Sequence, residues 1–201
     1  MTIDDKSVEA DTRTLCHVRQ ITCSAYRRAD RQWEIEAEVA DRKHEEVNFR
    51  SRPSVKPGEL IHRMTIWFLI DREETIRDVK ARLIAGPWRE CPQVEEEYGR
   101  LRGLTIGPGF QRLVRERIGR GQGCSHLTDL ITQVGNTYLQ ASWPTRVNKQ
   151  RAIDPDPRHW NDSLATNFVG ECHAWRRDGE ALRQEFPELA ASNVEGPPTG
   201  P

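Results

Sequence analysis

The 201-residue sequence has no run approaching about eighteen consecutive apolar residues, which excludes a membrane-spanning helix. Residues 1–13 are polar and acidic with no apolar segment, so no secretory leader is expected. Charge of one sign is missing too. Thirty Lys and Arg stand against 31 Asp and Glu, a net charge of -1, which argues against a protein built to coat nucleic acid. Neither a dinucleotide fingerprint nor a phosphate-cradling glycine loop occurs, so no nucleotide cofactor is expected. Lysine is scarce, with five against 25 arginines. Coding bias produces such a skew, and so does recognition of carboxylates or phosphates, which the planar guanidinium fork suits better than an ammonium. Five cysteines, an odd number, speak against a complete disulfide framework. Without an export signal they belong to a reducing cytoplasm, as core fillers, metal ligands or reactive thiols.

Strand signals come first in the chain. Leu15–Ala25 is apolar enough for a strand but alternates poorly, and Arg28–Gln32 reads as a hairpin loop. Trp33–Val39 alternates without a fault, placing Trp33, Ile35, Ala37 and Val39 inward and, on the same parity, Asp41 and Lys43. Ser51–Gly58 is a Pro-containing loop. Leu60–Ile70 is the strongest strand, with His62 on its apolar face beside Leu60, Met64, Ile66, Phe68 and Ile70. After a turn at Asp71–Glu74, Thr75–Ile84 closes a second hairpin.

Helical spacing follows. Val94, Tyr98 and Leu101 suggest a short helix, and Phe110, Leu113, Val114 and Ile118 a second. The glycine-rich Gly119–Gly123 leads into the longest helix, expected from Ser125 to about Trp143-Pro144. Asp154–Pro157 reads as a linker, and a last ordered stretch as Asn167–Leu189. Strands first and helices afterwards predict an α+β fold, an N-terminal antiparallel meander with helices packed on one face. Residues 1–13 are expected to form a disordered arm, 14–190 a single domain and 191–201 a disordered tail.

The sharpest chemical feature is Gly123-Cys124-Ser125-His126-Leu127 at the start of the long helix. A thiol at a helix N-terminus has a lowered pKa, and its thiolate is both nucleophile and metal ligand. The same stretch also reads as packing, with Cys124 continuing the stripe of Leu127 and Ile131. Cys124 and His126 diverge within a regular helix and converge only if one belongs to the preceding loop. Cys172-His173, Cys91 and His62 add soft sulfur and imidazole from other segments, so His62, Cys91, Cys124, His126 and Cys172 form a candidate ligand inventory for zinc or iron. None of the pairs has zinc-finger spacing, whereas a site assembled from distant segments suits an enzyme. Cys16 and Cys23 read as packing residues. Asp41 and Asp71 stand at strand ends and are candidate bases with His126, although Asp71 also suits a plain turn. Arg27, Arg28 and Arg63 are candidates to hold a substrate carboxylate.

These features resemble a bacterial domain family of unknown function, family 2889. The matching segments are Tyr26-Arg27-Arg28, Trp33–Glu36, Asp41-Arg42-Lys43, Gly58–Met64, Ile70-Asp71, Cys91-Pro92 and Leu101–Leu104. Gly123–Leu130 is similar to the family's Gly-Cys-Thr-His-Leu-Thr-Glu-Leu signature, and Cys172-His173-Ala174 and Phe186-Pro187 to its C-terminal landmark. The usual Asp-Gly turn reads Asp30-Arg31 here, the acid usual after the strand histidine is Arg63, and an Ala-rich stretch is replaced by Asn136–Leu139. The resemblance implies no particular reaction.

Three functions fit. The first is a cytoplasmic metal-binding enzyme of hydrolase or lyase type, acting on a small organic acid or related metabolite. The second is a non-catalytic module for a small-molecule ligand or a protein. The third is a thiol or redox protein using Cys124.

Overall fold

A computed structural model describes residues 13–156, 169–170 and 172–187. All but Arg13 of the expected arm, all of the expected tail and parts of the stretch 167–189 lie outside these residues. The described chain divides into two compact units, one of Met1–Thr105 with Gln111–Val134, the other of Ile106–Phe110 with Gly135–Pro201.

The first unit is built on a four-stranded antiparallel sheet in the order β1-β2-β3-β4, comprising β1 (His17–Arg27), β2 (Trp33–Lys43), β3 (Leu60–Ile70) and β4 (Ile76–Ala85). The fold class is α+β, with the meander at the N-terminus. Faultless alternation in β2 buries Ile35, Ala37 and Val39 on one face, and the same face continues through Met64, Ile66, Phe68 and Ile70 of β3. β1 runs two residues later than its hydrophobicity suggests. It is an edge strand, Ile21 is left exposed at its middle, and little apolar pattern is needed to hold it there. The first hairpin closes with Arg28 N–H donating to the Gln32 carbonyl at 2.9 Å, and Arg31 takes φ 68°, the left-handed geometry that a glycine would adopt without strain.

Beyond the sheet come two 3-10 segments, Cys91–Val94 and Glu96–Leu101, then α1 (Phe110–Arg117) and α2 (Ser125–Ile153). The short helix expected from the Val94, Tyr98 and Leu101 spacing is therefore a pair of tighter turns, in which the i, i+3 pair Tyr98 and Leu101 is buried. α2 starts where expected but does not stop at Pro144, which lies inside it. A proline inside a helix removes one backbone hydrogen bond and its ring crowds the carbonyl four residues back, a local cost past which the helix here continues. In the second unit Val147, Leu182 and Phe186 form a small core with Trp143, Val169 and Trp175 against it, and α3 (Glu180–Glu185) supplies Leu182. No helix among the described residues is long and apolar enough to cross a membrane.

Candidate metal centre at the end of the sheet

One transverse row of the sheet gathers titratable side chains from three strands. Antiparallel pairing sets Arg19 of β1 opposite Asp41 of β2, and Asp41 opposite His62 of β3. Residues directly opposite on one face lie within side-chain reach, so three strands deliver guanidinium, carboxylate and imidazole to one place. The register slips immediately after Asp41, between Asp41 and Arg42, so this is the last regular row at that end.

Asp41 is 1% exposed and fully engaged. Arg19 Nε and Nη2 donate to its two oxygens, each at 2.8 Å, and His62 Nδ1 lies 3.0 Å from Oδ2. His17 Nε2 stands 3.3 Å from Oδ1 and His126 Nε2 3.9 Å from Oδ2. Burial pushes the Asp41 carboxyl up, but the hydrogen bonds and charge of Arg19, aided by His62, outweigh it and hold the group at about 2. His126 is shifted down as well, here with burial as the first cause: desolvation, then the neighbouring His62 and Arg19, keep its pKa below the ordinary 6.5. At neutral pH the row thus presents an ionised carboxylate and, in His126, a neutral imidazole. The rings of His62 and His126 stack at 4.0 Å between centroids, tilted by 37°.

The start of α2 brings His126 to this row. The Cys124 carbonyl accepts the Thr128 N–H at 3.0 Å, which makes Cys124 the residue just outside the first helical turn. From there its thiol converges with His126, Sγ lying 3.7 Å from Nδ1, as the sequence allows if one of the two precedes the helix. The same sulfur lies 3.6 Å from Met64 Sδ on the buried face of β3. Tyr98 pins this junction. Its hydroxyl accepts the Cys124 N–H at 2.9 Å and donates to the Cys124 carbonyl at 2.8 Å. Burial raises the phenol to about 12, so it stays protonated and able to do both. Tyr98→Phe is expected to lower stability by about 1–3 kcal/mol, because a buried N–H loses its partner, and to loosen the helix start. Denaturant melts check the first effect, and amide exchange at Cys124 and Thr128 the second; unchanged exchange there would contradict this role.

Asp41, His62 and His126 each offer one ligand atom, all within 4.8 Å of one another. Around a tetrahedral zinc with bonds of about 2.0–2.2 Å, ligand atoms lie about 3.3 Å apart, so small side-chain movements close the set. Of the other expected ligands, Cys124 lies beside His126, whereas Cys91 lines an open pocket of about 330 Å³ with Leu83, Trp88, Val94 and Cys124. Cys172 is exposed and belongs to the second unit.

The expected base Asp71 stands at the other end of the sheet. Strand geometry at about 3.4 Å per residue puts some 27 Å between the Trp33–Ile70 end and the Asp41–His62 end. There Asp71 acts as a turn residue, accepting the Glu73 and Thr75 N–H groups at 2.9 Å and pairing with Arg77. The arginines expected to hold substrate are also elsewhere. Arg27 and Arg28 lie at the same distant end, where Arg28 pairs with Asp30 and Glu34. Arg63 is next to His62 but on the opposite face, on Glu38. The arginine at the cluster is Arg19, which the poor alternation of β1 concealed together with His17. Counting back equally on both sides of the predicted hairpin loop places Arg19 opposite Asp41 and would have found it.

The family described as Protein of unknown function (DUF2889) matches residues 17–140, and the chain belongs to it. That span includes every residue of the row, together with Tyr98, Cys124 and His126. No curated protein and no solved structure matches the chain.

Proposed function

We propose that this chain is a cytoplasmic metal-dependent enzyme of hydrolase or lyase type, acting on a small organic acid, with Asp41, His62 and His126 as ligands to zinc or iron. The observation that carries this reading is the convergence of three ligand atoms from β2, β3 and α2, all within 4.8 Å of one another. Ligands must be deprotonated to bind, and for two of the three, an acid held at about 2 beside an imidazole depressed below 6.5, the fold favours the deprotonated form. Two histidines and one carboxylate are the donors of catalytic zinc and of open non-haem iron centres. An ion there would supply Lewis acidity toward a substrate oxygen. The chain's own part is to hold Asp41 ionised through Arg19 and to keep His126 aimed at the row through Tyr98 and the helix start. The cysteines, none of which is in a disulfide, fit a reducing compartment.

Elemental analysis of untagged protein prepared without chelator tests this. Near-stoichiometric zinc or iron is expected in the wild type and in Cys124→Ser, and none in His62→Ala or His126→Ala. A wild type that is metal-free and takes up neither Zn²⁺ nor Co²⁺ on titration would sink the proposal. A thiol enzyme through Cys124 is the second reading, supported by the 3.7 Å approach of its sulfur to His126 Nδ1 at a helix start. Rapid alkylation of Cys124 alone, in protein that binds no metal, would favour it.

A further inference from the structure

We infer that Arg19 is the substrate-anion residue of this site, and that it becomes free to hold a carboxylate only when a divalent cation takes Asp41 from it. The inference rests on the metal-site reading above. Arg19 is bound edge-on to a carboxylate, Nε and Nη2 donating in parallel at 2.8 Å each. That fork is the geometry by which an arginine recognises a free carboxylate. Asp41 Oδ2 is also the ligand atom nearest both histidines, so a cation at the cluster and the Arg19 fork compete for one side chain.

Displacement is sterically open to Arg19 and closed to Asp41. The arginine comes from the edge strand and its side chain is 40% exposed, whereas Asp41 is held in the interior between β1 and β3. Charge points the same way. Without an ion, Asp41 and Arg19 neutralise each other, with Asp129 one turn up α2 also acting on Arg19. Adding a divalent cation leaves a surplus of positive charge on the row even after Asp129 is counted. A pocket with that surplus, an unpaired planar guanidinium and open coordination positions recruits an anion, and the fork selects a carboxylate. The carboxylate of Asp41 thus occupies, in the cation-free chain, the place a substrate carboxylate takes in the loaded one. Cation and carboxylate therefore bind cooperatively, each tightening the other by the same factor.

The test is calorimetric titration of the full chain with Zn²⁺, with and without millimolar acetate, in wild type, Arg19→Ala and Arg19→Gln. The glutamine variant keeps an amide donor toward Asp41 in case the alanine variant folds poorly. In the wild type, acetate is expected to tighten Zn²⁺ by at least about tenfold. Both variants are expected to bind Zn²⁺ more tightly than the wild type without acetate, because the competitor is gone, and to lose the acetate effect. An acetate effect of equal size in the variants, no acetate effect in the wild type, or variants that bind Zn²⁺ more weakly would each overturn the inference while leaving the metal site standing. No Zn²⁺ binding by any of the three proteins would instead bring down the metal-site reading itself.

Discussion

Asp41→Asn is expected to lower metal affinity by more than about 100-fold and to shrink the loss of stability on acidification. The amide is nearly isosteric, so the row keeps its shape and loses its charge. In the wild type the Asp41 carboxyl sits at about 2 when folded, against an ordinary 3.8. A group depressed by folding contributes stability that is complete above its unfolded value and is lost as pH falls through the folded one. At 1.36 kcal/mol per pH unit, that difference corresponds to about 2 kcal/mol, present above about pH 4 and gone below about pH 2. His126, depressed below 6.5, adds an earlier decline with the same sign, beginning as pH falls below 6.5. Urea unfolding at a series of pH values should show the His126 decline in both proteins and a loss between about pH 4 and 2 that is smaller by about 2 kcal/mol in the variant. Metal retention within tenfold of wild type, or an unchanged step between about pH 4 and 2, would remove Asp41 from the centre of the site.

Gly123→Ala should be the most damaging small substitution near the site. A methyl group at Gly123 would stand 2.3 Å from Ile118 Cγ2 and 3.0 Å from Tyr98 Oη. Tyr98 cannot give way, since it is buried and bonded on both sides of Cys124. Ile118 must move or the entry to α2 must shift, and the shift carries Cys124 and His126 with it. Overpacking of this kind costs about 1–3 kcal/mol, a fall of roughly 2–12 °C in Tm for a chain this size. Ile118→Ala in the same chain makes room. The double variant is therefore expected to be more stable than the sum of the two single losses by about 1 kcal/mol or more. Strict additivity in thermal and denaturant melts would show that the crowding is not between these two residues.

Much of this arrangement is legible in the sequence wherever a buried face imposes a period. Ile35, Ala37, Val39 and Asp41 share a parity in β2, and His62 shares one with Met64 and Ile66 in β3, because a half-buried strand must alternate. The opening of α2 is readable from the glycine-rich approach to Ser125. Legibility fails where burial relaxes. β1 has one neighbour and Ile21 near its middle is exposed, so no hydrophobic pattern within the strand reveals that Arg19 and His17 face the cluster, and only the pairing count across the hairpin does. The spacing of Val94, Tyr98 and Leu101 fits two tight turns as well as one helix, and a proline such as Pro144 marks a helix end only as a tendency. Which of several distant cysteines meet the histidines is a matter of three-dimensional distance, on which spacing is silent. Cys124 does approach His126, while Cys91 faces a neighbouring pocket.

The edge position of β1 has a consequence for how the chain breathes. Within the sheet β1 pairs with β2 on one side, whereas β2 and β3 are flanked by strands on both sides. Segments with one neighbour and exposed backbone groups open at a lower free energy than the core to which they are attached. When β1 peels back, Arg19 and His17 leave together, and Asp41 meets solvent with β2, β3 and β4 still paired. The charge balance at the cluster is thereby tied to a fraying equilibrium of one strand, so a partially opened native state is a different electrostatic object from the closed one.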